Sequence, residues 1–298
     1  MRTYEKTHPW LTFSLDLRKA THNTWLLMGE AQSKCEHIAG VPLRPGVAKN
    51  LHAIYLAKGV LATTAIEGNT LSEEDVRNRI EGKLILPPSK EYLGQEIDNI
   101  VTACNTISEH LFVDGSAEMC LADIKKFNAL VLEKLPLDEG VVPGEIRNYV
   151  VGVGRYRAVE PKDCIYLLEK LCSWMNAGFD ESKEFKMAFG FLKAIIAHIY
   201  LAWIHPFGDG NGRTARLVEF QALLASGVPS AAAHLLSNHY NMTRKDYYRH
   251  LDYASKSGGD IIPFIDYALR CFVDGLKEQL DMIRKQQWDV TWRNYVHE

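Results

Sequence analysis

Between positions 185 and 203 apolar residues return every three or four places: Phe185, Phe189, Leu192, Ile195, Ile196, Ile199 and Trp203. That is the 3.6-residue period of an α-helix. Ala188, Ala194 and Ala197 keep the other side apolar too, so the pattern predicts a helix buried around most of its circumference, at the centre of a core. The same period predicts helices over about 15–38, 47–67, 72–82, 89–112, 121–134, 161–176, 212–226, 243–257 and 261–288. Ser72 with Asp75 three places on forms a capping box, and Pro161 suits the first turn of a helix. The helical period lapses over 148–159, where β-branched and aromatic residues surround Gly152 and Gly154. That composition predicts a short hairpin. The stretches 84–89, with Pro87-Pro88, and 135–144, with Pro136 and Pro143, read as loops. The expected fold is all-α with one hairpin, in three parts: an N-terminal helical region over 1–110, a core over 111–260, and a C-terminal helix over 261–298.

Composition narrows the class of protein. With 298 residues, 47% of them hydrophobic and 24% charged, the chain has the balance of a globular protein, which excludes disordered, collagen-like and disulfide-scaffold readings. A net charge of -3 gives no bulk electrostatic ground for a nucleic-acid or membrane-surface partner. The six cysteines contain no C-x-x-C pair, which speaks against a zinc knuckle or a redox dithiol. The N-terminal residues are charged and carry no apolar signal segment. The apolar stretch Ala194 to Ile204 is interrupted by His198 and falls short of the ~20 residues that span a bilayer. The expected location is the cytoplasm.

Chemistry concentrates after the central helix, in His205-Pro206-Phe207-Gly208-Asp209-Gly210-Asn211-Gly212-Arg213-Thr214-Ala215-Arg216. Pro206 stops one helix, glycines flank Asn211, and an apolar period then resumes. A tight loop feeding a helix N-terminus offers unpaired N–H groups and the positive end of the helix dipole, which together make an anion site. Arg213 and Arg216, three apart, share a side of the new helix and can reach one polyphosphate. Asp209 is a hard oxygen ligand for Mg²⁺ and His205 a base that works near neutral pH. Plainer roles exist for each: Asp209 and Asn211 also suit a turn, and His205 a helix cap. A metal pair of His198 and His205 lacks a third ligand.

The string matches at every specified position the signature H-P-F-x-[DE]-G-N-G-R-x-x-R, and by it the chain resembles the Fic proteins. Gly144-Glu145-Ile146-Arg147 is similar to the family's run into its hairpin flap. Thr63-Thr64-Ala65-Ile66-Glu67-Gly68 resembles the family's inhibitory motif [ST]-x-x-x-E-[GN]. The resemblance implies a Fic-type helical bundle core with a β-hairpin flap, and transfer of AMP from ATP to a protein hydroxyl. On that likeness His205 takes the hydroxyl proton and Asp209 holds Mg²⁺. The segment Gly210, Asn211 and Gly212 forms the anion hole, Arg213 and Arg216 contact the phosphates, and Phe207 anchors the loop. Thr63, Glu67 and Gly68 belong to an inhibitory helix, about 55–68, whose carboxylate would occupy the Arg216 guanidinium that the γ-phosphate needs.

The expected partners are ATP with Mg²⁺ and a target protein, without membrane or direct nucleic-acid contact, and with a second copy of the chain as a possible partner of the last helix. Alternatives of the same site are removal of AMP, transfer of another nucleotide such as UMP, and nucleotide sensing. Tyr247, Tyr248, Leu251 and Ala254 fall at helical spacing and read as core, with Tyr247 and Asn241 also placed to complete a base pocket. Arg244-Lys245 reads as a solvated patch.

Overall fold

The computed structural model describes residues 2–43, 45–114, 118–154, 156–177 and 183–297. Its helices, in chain order, are α1 (Tyr4–Thr7), α2 (His22–Gly40), α3 (Pro45–Ala65), α4 (Glu73–Ile80), α5 (Glu91–Glu109) and α6 (Leu121–Leu132). The hairpin β1 (Gly152–Val153) and β2 (Tyr156–Arg157) follows, antiparallel, with Gly152 opposite Arg157 and Val153 opposite Tyr156. Then come α7 (Pro161–Asn176), α8 (Lys186–Ile204), α9 (Asn211–Ala225), α10 (Ser230–Ala233), α11 (Leu235–Met242), α12 (Arg244–Lys256) and α13 (Ile262–His297). The fold is all-α with a two-stranded flap. Arg155 lies outside the described residues.

The periodic segments become helices, although the first starts not at 15 but at His22, where Thr21 and Thr24 form a capping box, and the ends of the others follow local chemistry as well. Ser72 and Asp75 make the capping box that opens α4, and Pro161 takes the first turn of α7. Helices α10 and α11, and the one-turn α1, have no counterpart in the sequence reading. The four-residue α1 and α10 are too short for a 3.6-residue period to register, and α11, eight residues long like α4, lacks the capping pair that marks α4. The last helix continues to His297, beyond the 288 that its apolar period supports.

Helix α8 is the hub, buried along most of its length and packed against α9, α7 and α2, while α3 and α13 close the bundle around α11. By length and composition α8 could cross a membrane, which the shorter stretch 194–204 does not suggest. Its most apolar window is 78% buried inside the molecule, so that hydrophobicity is already used by the core. One apolar cluster runs from Leu11 to Ile283 and joins all these elements.

The N-terminal segment lies across the base of the hairpin. The Tyr4 amide donates to Asp163 at the start of α7, His8 Nε2 lies 2.9 Å from the Arg157 carbonyl of β2, and the Trp10 ring meets Trp203 edge-on. Tyr156 of β2 in turn donates to the Trp203 carbonyl of α8. The hairpin is thereby braced from two sides.

Candidate active site

Helix α8 ends at His205, whose amide still donates to Leu201 while its own backbone turns left-handed at φ 47°, ψ 60°. A non-glycine residue there is strained and needs support. Arg147 supplies it. Its guanidinium, 5% exposed, donates to the carbonyls of His205 at 2.7 Å, Tyr149 at 2.6 Å and Val159 at 2.6 Å, so one side chain ties the loop after α8 to both ends of the hairpin. An isolated bridge between Ile146 and Phe207 extends the same junction.

The loop itself is clasped from inside. Asn211 accepts from the Phe207 amide and donates to the Phe207 carbonyl, both at 2.9 Å, and Phe207 is buried. Asn128 of α6 donates to the Asp209 carbonyl and accepts from the Gly144 amide. Gly210 turns at φ 74°, which a residue with a Cβ seldom adopts, and α9 begins immediately after it. The first intrahelical bond of α9 runs from Thr214 to Gly210, so the amides of Asn211, Gly212 and Arg213 have no acceptor within the helix. Of the segment expected to form an anion hole, Asn211 and Gly212 carry such amides, whereas the Gly210 amide donates to the Asp209 carboxylate and the Asn211 side chain closes the loop.

Two arginines project from this turn. Arg216, 2% exposed, donates to Glu67 Oε1 at 2.5 Å and to the Thr63 carbonyl at 2.9 Å. Burial by itself would raise the Glu67 carboxyl, but the charge and hydrogen bond of Arg216, helped by Arg213 and His205, outweigh it and hold the group below its usual range. Arg213 pairs with Glu96 of α5 at 3.2 Å and with Asp209 at 3.3 Å, and Glu96 accepts from Asn69. A Cβ at Gly212 would lie 2.2 Å from Glu67 Oε1, so only glycine leaves room for that carboxylate.

Helix α3 stops at Ala65, and Glu67 sits in the turn beyond it, where the Glu67 amide donates to Thr64 and the Gly68 amide to Ala65. Gly68 carries the left-handed φ of 108°. Thr63 reaches Arg216 through its backbone oxygen. Arg244, read from the sequence as solvated, donates to the Ile66 carbonyl and grips this turn.

These groups meet at a cavity of about 530 Å³. Glu67, Gly212, Arg216 and His205 close one end, and Val153 and Gly154 of the hairpin form a side. Tyr247, Tyr248 and Leu251 of α12 line it as well: Tyr247 and Ala254 are buried in the core as their spacing suggests and Leu251 is half-buried against it, whereas Tyr248 is exposed, which corrects its reading as core. Asn241 is not among the lining residues. Burial depresses the His205 imidazole to about 4, and one ring nitrogen is engaged by the Ala202 carbonyl, so the ring is neutral with a free acceptor nitrogen. His198 does not line this cavity and its Nε2 lies 2.8 Å from the Tyr247 hydroxyl, and among the described residues no cluster of three or more His, Cys, Asp or Glu forms a metal site. Asp209, with its side chain about half exposed, is one carboxylate beside the loop. A single carboxylate suits Mg²⁺, which keeps waters and phosphate oxygens as its other ligands. A larger groove of about 650 Å³ between Trp25 of α2 and Phe185 before α8 has neither a glycine loop nor an arginine to receive phosphate.

The sequence profile of the Fic/DOC family matches residues 118–223. Protein adenylyltransferase fic-1 of Caenorhabditis briggsae is 32% identical over 212 residues, which is 71% of this chain and 38% of that relative. Protein adenylyltransferase Fic of Nematostella vectensis is 30% identical over 210 residues, 70% of this chain and 45% of the relative. The chain therefore spans less than half the length of these curated relatives. Among solved structures, a Fic family protein from Desulfovibrio desulfuricans G20 superimposes with a TM-score of 0.72 at 25% identity, covering 88% of this chain and 75% of that one. A Fic-1 fragment from Caenorhabditis elegans gives 0.71 at 24% identity, covering 88% and 73%, and shows the same fold.

Proposed function

Residues 118–223 of this chain are a Fic/DOC-family domain, and on that premise we propose that the protein is a protein adenylyltransferase that moves AMP from ATP to a Ser, Thr or Tyr hydroxyl and is restrained by its own Glu67. The observation that carries this reading is the Glu67–Arg216 pair, which seats a carboxylate at the arginine end of the cavity, next to the amides that open α9. An anion is already accepted there, and a phosphate of ATP is a larger anion of the same sign.

In the proposed reaction the target hydroxyl oxygen attacks the α-phosphorus, the bond from that phosphorus to the bridging oxygen breaks, and pyrophosphate leaves with the bonding pair. The free nitrogen of His205 takes the hydroxyl proton. Arg213 and Arg216 bind the phosphates once Glu96 and Glu67 yield them, and the amides of Asn211 and Gly212 face the charge that develops. Asp209 would hold Mg²⁺, which supplies charge neutralisation for the polyphosphate. The hairpin would fix the target backbone beside His205. While Glu67 holds Arg216, the γ-phosphate lacks its guanidinium and the α-phosphorus is out of line for attack.

The test is the position of the label. Incubation with Mg²⁺ and either α- or γ-labelled ATP should give protein-bound label from the α-position only. Label from the γ-position would make the protein a kinase and overturn the proposal. Glu67 and His205 both line the cavity, which also suits a water held for AMP removal. Pre-adenylylated target, losing AMP faster than it gains it, would favour that direction.

A further inference from the structure

We infer that Glu219 and His198 are positioning residues of the nucleotide site: they form a buried line that fixes the phenol of Tyr247 and, through it, the cavity wall that meets the base. This deepens the nucleotide reading of the cavity and rests on it.

Glu219 lies on α9 three residues after Arg216, and it is 1% exposed. A carboxylate at that depth is costly unless it is hydrogen-bonded and paired. Tyr240 of α11 donates to its Oε1 at 2.9 Å. Its Oε2 lies 3.5 Å from His198 Nδ1, and neither of these two atoms has another hydrogen-bond partner. Each is therefore the other's only available relief from burial. On the far side of the imidazole, His198 Nε2 lies 2.8 Å from the Tyr247 hydroxyl. With the ring proton on Nδ1, facing the carboxylate, Nε2 is an acceptor and Tyr247 must donate to it.

The line ends at the cavity. Tyr247 is both the terminus of this chain of contacts and a lining residue beside Arg216. Its ring is held flat against Tyr240, with centroids 4.8 Å apart and 26° between planes, and Tyr240 ends on the same carboxylate. Hydroxyl and ring are thus fixed from two directions that converge on Glu219. A polar cluster that served only the core would have no reason to terminate on the wall of the cavity. Only 3% of Tyr247 is exposed and one face of its ring is covered by Tyr240, so it meets the cavity as a fixed edge, and a wall held in one place sets the shape of a base pocket before the ligand arrives.

The experiment uses the full chain carrying Glu67→Gly and measures, by calorimetry with Mg²⁺, the affinity for ATP and for inorganic tripolyphosphate. Glu219→Gln and Tyr247→Phe should each weaken ATP by about fivefold, the size of one net hydrogen bond. Tripolyphosphate, having no base, should bind within twofold of the parent. The double variant should lose little more than either single one, because both break one line. Tyr247→Phe keeps the ring and removes one oxygen, so it remains informative if Glu219→Gln fails to fold. Unchanged ATP affinity, or equal loss for both ligands, overturns the inference. A parent that binds tripolyphosphate but not ATP overturns the nucleotide reading itself, and this inference with it.

Discussion

A base that must accept a proton from a hydroxyl has to be neutral when the hydroxyl arrives, and burial holds His205 at about 4, well below the ordinary histidine value of 6.5. The same shift ties the residue to stability. The folded state favours the uncharged ring, so its contribution is complete above pH 6.5 and is lost progressively as pH falls toward 4. His234, buried and depressed to about 3, acts in the same direction. His205→Asn keeps a residue that tolerates the left-handed backbone and removes the titration. Its melting temperature should fall less between pH 7 and pH 5 than the parent's; equal falls would mean that His205 is not held neutral by the fold. The same variant should lose about 10²–10⁴ in transfer rate while keeping its affinity for ATP. Parent-like labelling by it would remove His205 from the mechanism.

The hairpin and the turn after α3 are elements whose positions are set by residues far away in the chain. His8 and Trp10 brace the flap, through the Arg157 carbonyl and the Trp203 ring. His8→Ala should therefore reduce modification of a target several-fold with ATP affinity unchanged, measured by target labelling beside calorimetry; parallel losses would show that the N-terminal segment serves the whole site. Arg244 holds the Ile66 carbonyl, one residue before Glu67. Arg244→Ala should free that turn and raise automodification, by less than Glu67→Gly does, and a drop would show that the contact supports activity. Helices, hairpin and phosphate loop were legible because each depends on local spacing: the period around Phe189 and Ile196, glycines 152 and 154, and the run from His205 to Arg216. The braces were not legible. His8, Asn69, Glu96, Asn128 and Arg244 touch the site across long sequence separations, and nothing in their neighbours' pattern marks them. Arg147 was visible only as the end of a motif, although its four carbonyl contacts, one of them to His205 itself, hold that strained residue. Tyr248 was read as core because a helical period cannot distinguish a core from a cavity wall, while Tyr247 is both.

At the scale of the whole molecule one apolar cluster, from Leu11 to Ile283, joins the N-terminal segment, the central helix and the last helix. No described element has a core of its own, so near- and far-ultraviolet circular dichroism should report a single coincident thermal transition; two separated transitions would mean that part of the chain folds independently. The same connectivity lets α3, some 150 residues before α9 in sequence, present Glu67 to Arg216 as part of a continuous packed unit. The central claim is that this pair is a brake, and incorporation of α-labelled ATP by the parent, Glu67→Gly and Arg216→Ala tests it most directly. Both substitutions break the pair, yet only the first leaves a guanidinium for the γ-phosphate. The brake predicts a gain in labelling for Glu67→Gly and a loss for Arg216→Ala. Two variants that behave alike, with neither gaining activity, would contradict it and leave the contact a structural ion pair.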